Sequence, residues 1–313
     1  MLRRTRKGNE GEDSMIEIKN VRKKFGEVEA LADISLKIED GQIFGLIGTN
    51  GAGKSTLLRC LSGIYRPDSG EVLVDGVPVY EHPEVKANLF FISDDQYFFQ
   101  GGTPMEMLQF YETFYPGFGR ERLLSMMEIL KLDPKRKIST FSKGMKKQLS
   151  LLFGIASGCK YFLCDETFDG LDPVIRQAVK KLFFSEVEQH RLTPIIASHN
   201  LREMEDLCDH VGLLHKGGIL LSEDLDALKL GIYKVQVVFR ECEQKAALGE
   251  MFKILNTEQR GSLYTLTLRG ERTRIETALS AMEPVFYEII PLTLEEIFIS
   301  ETEVLGYDFK NLV

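Results

Sequence analysis

The segment Gly48-Thr49-Asn50-Gly51-Ala52-Gly53-Lys54-Ser55-Thr56 constrains the fold more than any other part of this chain. It fits the spacing G-x-x-x-x-G-K-[ST] and lies between an apolar strand over residues 43–47 and a helical run to residue 61. A strand, a glycine loop and a helix in that order point to a layered α/β core, because the loop needs a strand end and a helix start to meet. Gly48, Gly51 and Gly53 let backbone N–H groups curl around phosphate oxygens, with Asn50 and Thr56 completing the loop. Lys54 adds a mobile positive charge, and Ser55 offers a hydroxyl to Mg2+.

Two further stretches carry chemistry at strand ends. The apolar run Tyr161-Phe162-Leu163-Cys164 ends in Asp165 and Glu166, which places both carboxylates at the edge where α/β sheets bind ligands. Asp165 is the metal candidate, directly or through water. Glu166 is the candidate base for an attacking water, a role worth roughly 10²–10⁴-fold in rate. His199 follows the apolar strand over 194–198; it is read either as a sensor of a terminal phosphate or as a structural histidine. Ser142 and Gly144 open a helix over 145–156, with Lys143, Lys146 and Lys147 crowding its first turn. Cations there oppose the helix dipole, so the turn is expected to face an anion rather than to be a plain cap.

Taken together, the loop, the Ser-x-Gly helix start and the acidic strand resemble the ABC ATPases over residues 15–230. The stretch Phe141 to Met145 is similar to the family signature Leu-Ser-Gly-Gly-Gln, keeping Ser142 and Gly144 and departing at Phe141, Lys143 and Met145. The resemblance implies a P-loop NTPase fold of ABC type, with a helical subdomain and an antiparallel β subdomain. It implies Mg2+-dependent ATP hydrolysis by a pair of subunits, identical or merely similar. Lys54, Ser55 and Glu166 of one would meet Ser142 and Gly144 of the other across each ATP. Phe25 sits where the family stacks an aromatic on adenine, the alternative being a simple core residue. Either Asp94 or Gln96 takes the place of a Gln that reaches the metal and the water, and Gly170-Leu171-Asp172 looks like the loop that couples the two sites. The Ser-Lys-Gly-Met variant and the ending Leu294-Glu295-Glu296-Ile297-Phe298 look like export-type bacterial subunits, peripheral on the inner face of the cell membrane and working with separate permeases.

Composition narrows the alternatives. The net charge is −8, from 39 basic and 47 acidic residues, and residues 275–309 hold eight acids and no Lys or Arg. That is no electrostatic footprint for nucleic acid, so no nucleic-acid partner is expected. No apolar run approaches the roughly 18 residues of a membrane-spanning helix, so a membrane part would come from another polypeptide. The five cysteines have no Cys-x-x-Cys spacing, which fits free thiols in a reducing cytosol. These features favour a transporter subunit over two rivals, a soluble ABC clamp and a regulatory module whose C-terminal part senses a ligand.

Alternating strands and helices fill residues 15–230, including a single helical stretch over 104–132 rich in aromatics and Met. Residues 1–14 are polar and charged and read as a disordered extension rather than a targeting peptide. A composition shift near Leu230-Gly231 opens a small α+β domain over 231–313. Its expected elements are strands over 233–239, 262–268 and 285–290, helices over 244–255 and 272–282, and a short helix near 294–299.

Overall fold

A computed structural model describes residues 15–298, apart from 169, 170, 191, 230, 242 and 291. The expected N-terminal extension, Gly170 and the last residue of the final helix therefore lie outside the described residues. The chain divides into two compact units between Ser222 and Glu223, earlier than the composition shift at Leu230-Gly231.

The first unit holds two sheets. One is antiparallel, with β1 (Met15–Phe25) between β2 (Val28–Glu39) and β4 (Ser69–Val74), and β5 (Val77–Pro78) at its edge. Ile16 and Ile18 turn inward from β1 and Ile34, Leu36 and Ile38 from β2, the period-2 pattern of a half-buried sheet; a register shift after Ile18 brings Val21 inward three residues later. The second sheet has the order β10-β9-β3-β8-β7-β6. Here β3 is Phe44–Ile47, β6 Leu89–Ile92, β7 Tyr161–Asp165, β8 Thr193–Ser198, β9 His210–His215 and β10 Gly218–Asp224. Every residue of β3, β7 and β8 is buried, and the three pair in parallel, as strands covered on both faces must.

Between the sheets lies α1 (Lys54–Leu61), whose Leu57, Leu58 and Leu61 join Phe44, Leu163 and Ile195 in one core. A single turn, α2 (Pro83–Lys86), precedes β6. The expected helix over 104–132 is two helices, α3 (Pro104–Phe114) and α4 (Arg120–Ile129). Pro116 lacks the N–H that a continuing helix needs, and Gly117 and Gly119 follow it. Thr103 and Glu106 form a reciprocal capping box at the start of α3. Tyr111, Tyr115 and Phe118 from this region close on Phe90 of β6 and Phe153 of α5 (Lys143–Ala156). The unit is completed by α6 (Pro173–His190) and α7 (Leu201–Leu207).

The second unit begins with α8 (Leu225–Lys229) and continues as β11 (Ile232–Val238), α9 (Glu243–Met251), β12 (Lys253–Arg260), β13 (Leu263–Arg269), α10 (Arg272–Ala281) and β14 (Phe286–Ile290). The sheet order β12-β13-β11-β14, antiparallel throughout, is the split β-α-β arrangement of ferredoxin-like folds. The helix expected over 244–255 stops at Met251, because Lys253–Arg260 pairs with β13 as an edge strand across the turn at Gly261. Val235 and Val237 meet Leu266, Leu268, Leu248 and Ile275 in a core of this unit's own. We predict that Leu266→Ala costs about 2–5 kcal/mol of stability in urea titration. Mg2+-ATP affinity, which the resemblance assigns to residues of the first unit, is expected to stay unchanged.

Candidate functional site

Three neighbouring parallel strands deliver the site. The glycine loop leaves β3, Glu166 follows β7, and His199 follows β8, which lies between them in the sheet. All three therefore emerge at one C-terminal edge. The loop hugs the structure closely at two glycines. Gly53 has φ +109°, and a Cβ there would lie 2.4 Å from the Ala30 carbonyl oxygen; a Cβ on Gly48 would lie 2.4 Å from that of Leu214.

Lys54 is 5% exposed, and its Nζ donates to the carbonyls of Gly48 (2.7 Å) and Thr49 (3.2 Å), so the loop wraps its own ammonium. The same Nζ lies 3.7 Å from Glu166 Oε1. His199 Nδ1 stands 3.4 Å from the same Oε1. Glu166 takes a left-handed backbone, φ +48°, at a cost of roughly 1–2 kcal/mol for a residue with a Cβ. Its N–H donates to the Ala197 carbonyl (2.9 Å), and its own carbonyl accepts from Lys147 Nζ (2.8 Å). Strain of this kind, held from both sides, belongs at functional positions.

Asp165, at the end of β7, is 1% exposed and accepts from Ser55 Oγ at 3.0 Å. Burial pushes its carboxyl above the ordinary carboxylate range, opposed by the Ser55 hydrogen bond and the Arg59 guanidinium and reinforced by the charges of Glu166 and Asp94. A hydroxyl and a buried carboxylate in contact suit a hard divalent cation. Mg2+ is held by one or two carboxylates together with substrate phosphates, not by an all-protein cage. Among the described residues no group of three or more His, Cys, Asp or Glu forms such a cage. When bound, Mg2+ supplies positive charge against the phosphate oxygens; Ser55 and Asp165 are the residues that would hold it.

Beside them lies a cleft of about 570 Å3 lined by the expected Asn50, Gly51, Gly53, Lys54, Ser55, Thr56, Asp94 and Glu166, whereas Gly48, Asp165 and His199 do not line it. Of the two open candidates, Asp94 therefore faces the cleft. Gln96 does not line it, and its amide nitrogen is buried with no hydrogen-bond partner among the described residues. Phe25 does not line it either. It is 45% exposed, pairs across the hairpin with Val28, and packs edge-on against Tyr65. Val28, Glu29, Ala30 and Lys216 do line the cleft and were not anticipated. Nothing local in the sequence marks the first three, which arrive by sheet packing. For Lys216 the signal was the hairpin turn, whose Gly217 N–H donates to Ala52 in the glycine loop.

The signature turn lies elsewhere. Ser142 is exposed and caps α5, its hydroxyl accepting from the Met145 N–H (3.2 Å), and neither it nor Gly144 lines the cleft. The anion expected to face the three lysines is in part internal: Lys147 reaches Asp94 (3.7 Å) as well as the Glu166 carbonyl.

The fold and the site define an α/β nucleotide-binding ATPase of the ABC class. A family model described as ABC transporter matches residues 31–169. The chain is 33% identical over 287 residues to the ABC transporter ATP-binding protein YtrB of Bacillus subtilis, covering 92% of this chain and 98% of the relative. It is 28% identical to the methionine import ATP-binding protein MetN of Clostridioides difficile, covering 69% and 70% respectively. A solved ATP binding subunit of an ABC transporter superposes with a TM-score of 0.64 at 24% identity, over 69% of this chain and 92% of that one. The chain belongs to the ABC transporter ATP-binding proteins. As a member it is the ATP-binding subunit of such a transporter: it binds and hydrolyses Mg2+-ATP, dimerises, and works with separate permease subunits.

Because the Asp165 carboxyl is raised in the folded chain, the folded state holds its proton more tightly than the unfolded state does. Its contribution to stability therefore falls as pH rises from the ordinary carboxylate range through the raised value. We predict that Asp165→Asn removes this loss and melts higher than the parent at neutral pH without nucleotide. In the same thermal scan the Mg2+-dependent gain from ATP is expected to disappear.

Proposed function

We propose that the chain is the ATP-hydrolysing subunit of an exporter, with Glu166 as the base. The observation that supports this most is the single Glu166 oxygen held between Lys54 and His199 beside the glycine loop. In this reading Glu166 accepts a proton from water as the water oxygen bonds to the terminal phosphorus. The bond from that phosphorus to its bridging oxygen breaks, and ADP leaves carrying the electron pair. Lys54 and His199 steady the phosphate charge, while Ser55 and Asp165 orient the metal.

Ser142 and Gly144 stand outside the cleft of their own chain, which supports a site completed by a second copy or a similar subunit. The export direction rests on Ser142-Lys143-Gly144-Met145 and on Leu294-Glu295-Glu296-Ile297-Phe298. A relative named for methionine import is similar over 69% of this chain, so the ATP-binding unit by itself does not set direction. No helix among the described residues is long and apolar enough to cross a membrane. Tyr97, 77% exposed, and Phe114, 58% exposed, belong to an aromatic string with Phe99 and Phe110. This string begins three residues after Asp94 and suits an apolar element of a permease at the inner membrane face.

We predict that Glu166→Gln binds Mg2+-ATP yet lowers turnover at least about 10²-fold. Tagged Glu166→Gln with Mg2+ and ATP is expected to recover a multi-spanning protein from membranes, and Phe110→Asp with Phe114→Asp to lose it. Near-normal turnover removes Glu166 from the base role. Recovery of soluble partners alone favours the cytosolic clamp.

A further inference from the structure

We infer that Lys147 is a positioning residue for hydrolysis, fixing Glu166 through its backbone and balancing the charge of Asp94. The inference rests on the reading of Glu166 as the base. Asp94 and Glu166 line the same cleft, and both act on Asp165 with like charge. Lys54 is one cation set against them, and it is committed to its own loop. Lys147 is a second, arriving from α5 in the turn after Ser142 and Gly144. Its Nζ lies 2.8 Å from the Glu166 carbonyl oxygen and 3.7 Å from Asp94 Oδ1.

The carbonyl contact matters because of the backbone it grips. Glu166 is left-handed, a conformation that surrounding contacts must support in a residue with a Cβ. Ala197 holds the N–H side and Lys147 the C=O side. Relaxing either rotates the peptide planes from which the side chain departs and swings the carboxylate away from Lys54 and His199. Displacements of about 1 Å at a reacting group cost up to ~10²-fold in rate. Lys147 does not line the nucleotide cleft, so its effect falls on turnover and not on ATP affinity.

The experiment is a cycle on the full-length chain, comparing the parent, Lys147→Ala, Glu166→Gln and the double variant in ATP turnover and Mg2+-ATP binding. Lys147→Arg is added as the conservative rescue, and each protein is checked for unchanged melting. We expect Lys147→Ala to lower kcat at least about tenfold with KM near the parent's. Lys147→Arg should recover much of the loss. In the Glu166→Gln background, Lys147→Ala should cost little more, because the residue it positions no longer acts. An equal loss in both backgrounds, a KM effect without a kcat effect, or parental kcat in Lys147→Ala each overturns the inference. Should Lys147→Ala fail to fold, Lys147→Gln takes its place in the same cycle by the same criteria, with Lys147→Arg still the rescue. Glu166→Gln with near-parental turnover instead defeats the base assignment, and that outcome is read from the single variant alone.

Discussion

A carboxylate held almost wholly out of water, Asp165, is the constraint around which the first unit is arranged. An ionised group in that position is costly unless hydrogen-bonded and neutralised. The Ser55 hydroxyl supplies one hydrogen bond at 3.0 Å, and Arg59 contributes charge from within α1. That contact ties the end of β7 to the first turn of α1, across β8. The glycine loop, the metal candidates and the proposed base are thus fixed relative to one another by the strands that build the core. A divalent cation held by Ser55 and Asp165 would add positive charge beside this carboxylate and so link folding energetics to ligand binding.

Glu166 shows the same economy from the other direction. Its left-handed backbone is locally unfavourable, yet the Ala197 and Lys147 contacts hold it, and the outcome is a carboxylate aimed between an ammonium and an imidazole.

Much of this was legible in the chain because it is written in contiguous stretches. Gly48 to Thr56, the Asp165-Glu166 pair and His199 each lie at the end of a buried strand, and a strand end fixes direction without any knowledge of distant contacts. What escaped depends on pairing or on breaks within an apolar stretch. The break at Pro116 was present in the sequence, but the surrounding aromatics suggested one continuous helix. β12 has an almost featureless exposed pattern, and only pairing with β13 makes Lys253–Arg260 a strand. Asp94 and Gln96 sit two residues apart, and their order in sequence says nothing about which faces a cleft. Lys147 looked like a cation awaiting an external anion, because its partners are brought to it from two other parts of the sheet edge.

The position of the signature turn raises the final question. Ser142 and Gly144 lie outside the cleft that holds Lys54, so the account requires a second subunit to bring its own signature turn to the phosphates. The most direct measurement is an experimental structure of Glu166→Gln with Mg2+ and ATP. The account predicts terminal phosphate contacts from Lys54 and His199, a metal on Ser55 and Asp165, and Ser142 and Gly144 closing the site from another subunit. Nucleotide bound away from the glycine loop, or a complete phosphate site formed within one chain, would contradict it.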